Sequence, residues 1–245
     1  MSSKKIVSLI KKLVKISGKA NVITKSWDKE AYEKGWRYGS GNAFAVTRPG
    51  NLIELWKILK ACNKEGVIII MQAANTGLTG GSTPYGNDYD RPVVIINTMR
   101  IDDIHLIDNG KQIIGLAGST LYSLERKLKK YNREPHSVIG STSIGASIIG
   151  GVCNNSGGSL VQRGPSFTEL ALYARVNKDG KLELINELDV DLGSNPEEIL
   201  KNLEDKNYNE KNIVNSDKLA SDNKYSDIVR QIDSKIPARF NSDSR

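Results

Sequence analysis

Between residues 4 and 16 the apolar side chains recur at helical steps. Ile6, Leu9, Ile10, Leu13 and Ile16 share one stripe opposed by lysines, which predicts an amphipathic helix ended by Gly18. A short strand is expected at 43–46. After Arg48-Pro49-Gly50, the positions Leu52, Leu55, Trp56, Leu59 and Cys62 again fall at helical spacing, and Gly66 punctuates them. The run at 67–71, Val-Ile-Ile-Ile-Met, is near-continuously apolar and β-branched, and it predicts a strand buried on both faces. Strand, helix and strand in that order predict a right-handed crossover joining parallel strands.

A polar loop at 73–87, AANTGLTGGSTPYGN, separates this unit from another core strand at 93–96. Residues 104–107 and 112–116 flank Asp108-Asn109-Gly110-Lys111, where Asn-Gly offers the positive φ angles of a tight hairpin turn. Thr120 is expected to cap a helix carrying Leu121, Leu124 and Leu128, which ends near Tyr131-Asn132. The small-residue segment 140–158, GSTSIGASIIGGVCNNSGG, places Ile144, Ser147, Ile148 and Gly151 on one face of a short helix. A second hairpin is expected from 169–176 and 181–186 around Lys178-Asp179-Gly180. Beyond Leu188 polar residues dominate, with apolar anchors at Ile199, Leu203, Ile228, Val229 and Ile232, as in surface loops and short helices.

Composition narrows the class. The chain has 245 residues, 38% of them hydrophobic and 26% charged, enough apolar content to bury a core as one large domain or two lobes. No run approaches the roughly 20 apolar residues of a bilayer crossing, which argues against a transmembrane protein. Lysines at 11, 12 and 15 interrupt the amino-terminal apolar stretch, so it reads as part of a cytosolic chain and not as a signal peptide. The net charge is +7, and residues 1–66 hold 14 basic against 5 acidic residues. Without interleaved aromatics or a recognisable module, the surplus does not argue for nucleic-acid binding. Packing of the first helix on the domain is favoured over membrane-surface binding. Cys62 and Cys153 have no CxxC or Cys/His spacing, so neither a disulfide framework nor a metal site is expected.

Two glycine-rich segments carry the candidate chemistry. A residue without a Cβ lets backbone N–H groups approach a phosphate closely. Residues 75–82 supply such amides with the hydroxyls of Thr76, Thr79 and Ser82, an inventory that suits a pyrophosphate. The segment has neither the Lys-Ser/Thr of a P-loop nor a GxGxxG opening a helix. A structural turn is the other reading of each segment, and the residues alone leave both open. The pair is more informative: a ligand with a diphosphate and two aromatic ends needs backbone approach at more than one place, and flavin adenine dinucleotide is such a ligand. His136 follows Pro135 and could face a ligand or solvent; His105 sits in an expected strand as a structural residue. Asp88 and Asp90 read as surface partners of Arg91 rather than paired catalytic carboxylates.

The stretches MQAANTGLTGGSTPYGNDYDR, REPHSVIGSTSIGASIIGGVCNNSGGSLVQRGP and DLGSNPEEIL resemble the amino-terminal, flavin-binding part of the bacterial quinone-dependent D-lactate dehydrogenases, over about residues 9–239. The resemblance implies an α+β fold: a two-lobed FAD-binding domain of the vanillyl-alcohol-oxidase (PCMH) type with the flavin between the lobes. It implies oxidation of D-lactate to pyruvate, hydride passing to the flavin and electrons to membrane quinone, on the cytoplasmic face of the inner membrane as a peripheral protein. Carried over by position, the cofactor contacts are Ala73, Ala74, Asn75, Thr76, Gly77, Gly81 and Ser82, then Gly140, Ser147 and Gly157. The first loop holds no histidine for covalent attachment, so noncovalent FAD is expected.

The expected organisation is an amino-terminal helical segment at 1–36 and an FAD-binding domain at 37–245, with a first lobe at 37–110 and a second, incomplete lobe at 111–245. Members of the resembled family continue for several hundred residues, so the chain reads as cut near the end of its flavin domain. The groups that bind lactate and take its proton are then expected elsewhere, and no catalytic residue is assigned. Two alternatives follow. One is an inactive remnant, or a half-chain that needs a separately encoded carboxy-terminal substrate and membrane domain. The other keeps the enzyme class with a different 2-hydroxy acid.

Overall fold

A computed structural model of the chain describes residues 2–135, 141–156 and 170–211. Its contacts divide into two units. The first comprises Met1–Asp102, Ala174–Leu184 and Leu192–Asn207; the second comprises Asp103–Tyr173, Ile185–Asp191 and Tyr208–Arg245.

The first unit opens with α1 (Ser3–Ser17). Leu9 and Leu13 on its apolar stripe are fully buried, in a core with Ile58 and Cys62 of α3 (Leu52–Glu65), while its lysines stay exposed. The stripe is therefore spent on the domain, as expected, and is not free for a membrane. Gly66 ends α3 as expected, and Asn51, not singled out from the sequence, caps its start. Asn51 Oδ1 accepts from Glu54 N at 2.7 Å, and Gly66 closes the helix in the left-handed region at φ 68°. Two elements had no sequence signal strong enough to predict them: the two-residue strand β1 (Val22–Ile23) and the helix α2 (Ser26–Glu33).

The sheet of this unit runs β1-β2-β4-β3, with β2 (Ala45–Thr47), β3 (Ile68–Gln72) and β4 (Val93–Asn97) parallel and β1 antiparallel to β2. The strand–helix–strand unit is thus parallel as predicted, but β4 lies between its two strands. This corrects the expectation that the 67–71 run is buried on both faces. β3 is an edge strand, with Ile68, Ile69 and Ile70 half-buried and Met71 exposed, whereas every residue of β4 is buried. An apolar run reports that a strand touches the core; it does not report strand order. The helix α6 (Pro196–Glu204) packs on α3, where Glu204 Oε1 accepts from Leu52 N at 2.6 Å and Lys60 pairs with Glu197 at 3.1 Å.

The second unit holds the hairpin of β5 (Ile104–Ile107) and β6 (Gln112–Gly115), with positive φ at Asp108, Asn109 and Gly110 in its turn. Thr120 caps α4 (Leu121–Leu128), and Asn132 ends the following 3-10 turn at φ 52°, both as predicted. Leu121, Leu124 and Leu128 are buried with Ile104, Ala146 and Ile148. The 140–158 segment differs from the single helix expected. A 3-10 turn (Thr142–Ile144) is broken at Gly145, whose φ is 95°, before α5 (Ile148–Cys153) begins. Ile144 accordingly stands exposed, and Ser147 is the cap of α5 rather than part of it. The second hairpin is present as β7 (Leu172–Val176) with β8 (Leu182–Asn186). The anchors Ile199 and Leu203 are buried on α6; Ile228, Val229 and Ile232 lie outside the described residues.

Candidate functional site: an amide-rich loop between β3 and β4

Ala73, Ala74, Asn75, Thr76, Gly77, Gly81 and Ser82 all lie on the loop leaving the carboxyl end of β3. In open parallel sheets this is the end at which ligands bind. Among the described residues, none of the backbone N–H groups from Asn75 to Ser82 donates to another protein atom, which leaves eight consecutive amide donors uncommitted. Asn75 (φ 55°) and Gly80 (φ 76°) take left-handed conformations that bend the chain within that stretch. Gly77 and Gly81 lack positive φ, and a Cβ built on either meets nothing within 4 Å. Neither backbone strain nor protein packing therefore demands glycine there; close approach by something other than protein supplies a reason.

The base of the loop is tied down from below. Gln72 Nε2 donates to Tyr32 O at 2.9 Å and to Ser82 O at 2.8 Å, while Asn97 Nδ2 donates to Gln72 Oε1 at 3.1 Å and Ala73 O at 2.9 Å. Asn75 Nδ2 donates to Lys34 O at 2.8 Å, and Ser82 Oγ donates to Asn75 Oδ1 at 2.8 Å. The side chains of Asn75 and Ser82 are thus struts of the loop, while their main-chain N–H groups bond no protein atom among the described residues. Gly80 also approaches the 34–41 segment closely: a Cβ on it would stand 3.1 Å from Tyr38 O. An open hollow of about 500 Å³ beside the loop is lined by Trp27, Glu30, Ala31, Lys34, Gly35, Trp36, Ala74 and Asn75.

In the second unit, Ser147 is buried, and its Oγ accepts from Gly150 N at 3.0 Å. A Cβ built on Gly150 would come within 2.7 Å of that oxygen. Around it, Leu121 N donates to Ala146 O at 3.0 Å and Ile148 N to Ser119 O at 2.9 Å, which stitches the segment to the start of α4. Gly140, Gly157 and His136 lie outside the described residues.

The remaining candidates have ordinary roles. His105 is buried, with Nδ1 at 2.6 Å from the Tyr208 hydroxyl, and burial pushes that phenol up to about 12. Arg91 Nε bonds both carboxylate oxygens of Asp90 at 3.2 Å. Among the described residues no group of three His, Cys, Asp or Glu side chains could hold a metal, and no helix is long and apolar enough to cross a membrane. Gln72, Tyr32, Lys34 and Asn97 were not singled out from sequence. Their part depends on contacts spanning 25 to 41 residues, which no local pattern carries.

The donor set fits a pyrophosphate-bearing cofactor: consecutive neutral amides, two threonine hydroxyls, and two glycines open to a close neighbour. Residues 43–185 match the FAD binding domain family, and the chain belongs to it. More particularly, the chain is 58% identical over 238 residues to the quinone-dependent D-lactate dehydrogenase of Haemophilus influenzae, covering 97% of this chain and 42% of that one. It is 52% identical over 236 residues to the Escherichia coli protein of the same name, covering 96% of this chain and 41% of that one. The chain thus spans about two fifths of the length of these relatives. Among solved structures it is similar to p-cresol methylhydroxylase with substrate bound, at a TM-score of 0.57 and 15% identity over 75% of this chain and 36% of that one, a likeness of fold. The α+β FAD-binding fold expected from the sequence is the one observed.

Proposed function

We propose that this chain is the flavin-binding part of a quinone-dependent D-lactate dehydrogenase. The observation that carries the reading is identity of 58% and 52% to two proteins of that name over nearly all of the chain, with the cofactor loop inside the matched region. Ala73, Ala74, Asn75, Thr76, Gly77, Gly81 and Ser82 form the first set of FAD contacts, and Ser147, with Gly140 and Gly157, the second. The chemistry FAD supplies when bound is two-electron oxidation of D-lactate to pyruvate, with the electrons released to a quinone to give the quinol.

The residues of this chain bind and orient. The main-chain N–H groups of 75–82 donate to the phosphate oxygens, at no cost in broken protein hydrogen bonds because they have none to break. Gly77 and Gly81 permit the approach. Gln72, Asn75, Asn97 and Ser82 keep the loop in place. With no histidine in 73–82, the cofactor is held noncovalently. The groups that bind the lactate carboxylate and accept its hydroxyl proton are assigned to residues outside this chain, in one longer polypeptide or in a separately made partner. A lipid-soluble quinone acceptor calls for contact with a membrane surface, and the family resemblance implies a peripheral protein on the cytoplasmic face of the inner membrane.

The test is titration of FAD with the purified chain, followed by flavin fluorescence, beside assays of D-lactate-dependent dye reduction with and without the complementary part of a relative. Saturable quenching, with dye reduction only when the complementary part is present, is the expected result. Flavin fluorescence unaffected by the chain would overturn the reading. D-Lactate turnover by the 245 residues alone would overturn the assignment of substrate groups elsewhere.

A further inference from the structure

Gln72 is the last residue of β3, 2% exposed, and its carboxamide is fully engaged. Its two N–H donors go to carbonyls far apart in sequence: Tyr32 O near the end of α2, and Ser82 O where the loop returns. Its oxygen accepts from Asn97 of β4, which also holds Ala73 O, and its own main-chain carbonyl accepts from Thr98 N at 2.8 Å. The neck of the loop is therefore closed by side chains, Gln72 to Ser82 O with the Ser82–Asn75 bond above it, and not by a backbone ladder among the described residues. Bringing together the ends of a ten-residue loop costs conformational entropy that a single buried amide, satisfied at every position, is placed to offset.

We infer that Gln72 is a positioning residue for the cofactor loop: its carboxamide clamps the neck and α2 together and so presents the eight uncommitted amides in one conformation. Gln72 touches no cofactor in this account; it acts through the loop. It also gives α2 a role, since Lys29 and Glu33 fix that helix to Ala43 from the other side, Lys29 Nζ donating to Ala43 O and Glu33 Oε1 accepting from Ala43 N at 2.7 Å. The inference rests on the FAD reading for its consequence but not for its geometry, and the test separates the two.

Gln72→Glu keeps the shape and removes both donors, and the groups bonded to the carboxamide, two carbonyls and the Asn97 amide, do not titrate. As pH falls, a buried glutamate takes up a proton and regains one O–H donor. The expected result at pH 8, at a temperature where the variant is fully folded, is FAD affinity at least tenfold below wild type, recovering in part toward pH 5.5 while the wild-type curve stays flat. A merely structural role would lower the melting temperature without this pH-dependent recovery. Asn97→Ser, which withdraws the donor to Gln72 Oε1 and Ala73 O, is expected to weaken FAD about fivefold and guards against failure of the first variant to fold. Independently of any cofactor, chymotrypsin cleavage beside the exposed Leu78 in the FAD-free chain is expected to be severalfold faster in both variants, with cleavage beside the exposed Tyr131 of the second unit unchanged. Unchanged FAD affinity or unchanged cleavage at Leu78 in a folded variant overturns the inference. Wild type that binds no FAD while the variants still open the loop defeats the FAD reading and leaves the clamp standing.

Discussion

Gly77 and Gly81 show how much a glycine says when its surroundings are known. With an ordinary φ and no protein atom within 4 Å of a built Cβ, either could carry a side chain in the free protein without strain. Replacing them should therefore cost little stability and much binding. Gly77→Val and Gly81→Val are expected to melt within a few degrees of wild type and to bind FAD at least tenfold more weakly; loss of both properties together would return the loop to a structural role. The cysteines make a second residue-scale prediction. Cys153 is exposed, while Cys62 is fully buried and its thiol is pushed up to about 12 by that burial. One equivalent of a thiol-disulfide reagent should react with the native chain at pH 8, and the second only after denaturation. Tyr208 supplies a pH dependence: its neutral phenol is favoured in the fold, so that stability is complete below pH 10 and is lost as pH rises through about 12. Tyr208→Phe should abolish that alkaline loss in denaturation series.

At the scale of elements, the sequence was legible wherever local chemistry decides. The Thr120 cap, the left-handed Gly66, the Asn109-Gly110 turn and the apolar stripe of α1 all appear where the residues announce them. What was not legible was set by distant contacts. Nothing in the 67–71 run says that β4 takes the centre of the sheet and leaves β3 at its edge. In α2 a short, mostly polar sequence is held by a buried pair, Lys29 Nζ to Glu33 Oε1 at 2.7 Å, closed on Ala43. Lys29→Ala strands a buried carboxylate and is expected to cost about 3–5 kcal/mol in chemical denaturation, whereas Lys29→Met with Glu33→Gln, which removes the charge and keeps an acceptor for Ala43 N, should cost less. Equal losses in both would mean that α2 is held by something other than this pair. The 73–82 loop divides in the same way: its glycines and hydroxyls are visible in the sequence, whereas the Gln72–Asn97 contact beneath it is not.

At the scale of the whole molecule, 245 residues supply the fold of the FAD binding domain family and an amide-rich loop within the matched region, and they span about two fifths of the length of the two relatives compared above. Binding and turnover therefore belong to separate experiments, and a chain that binds FAD without oxidising D-lactate is the expected behaviour of the flavin-binding part. Activity restored by adding the complementary portion of a relative would show that the two parts can share one reaction. The most direct measurement is fluorescence titration of FAD with the wild-type chain and with folded Gly77→Val. Saturable one-to-one quenching by the first, reduced at least tenfold in affinity in the second, is the predicted result. Equal quenching by both, or none by the wild type, would contradict the claim that the 73–82 loop holds the flavin.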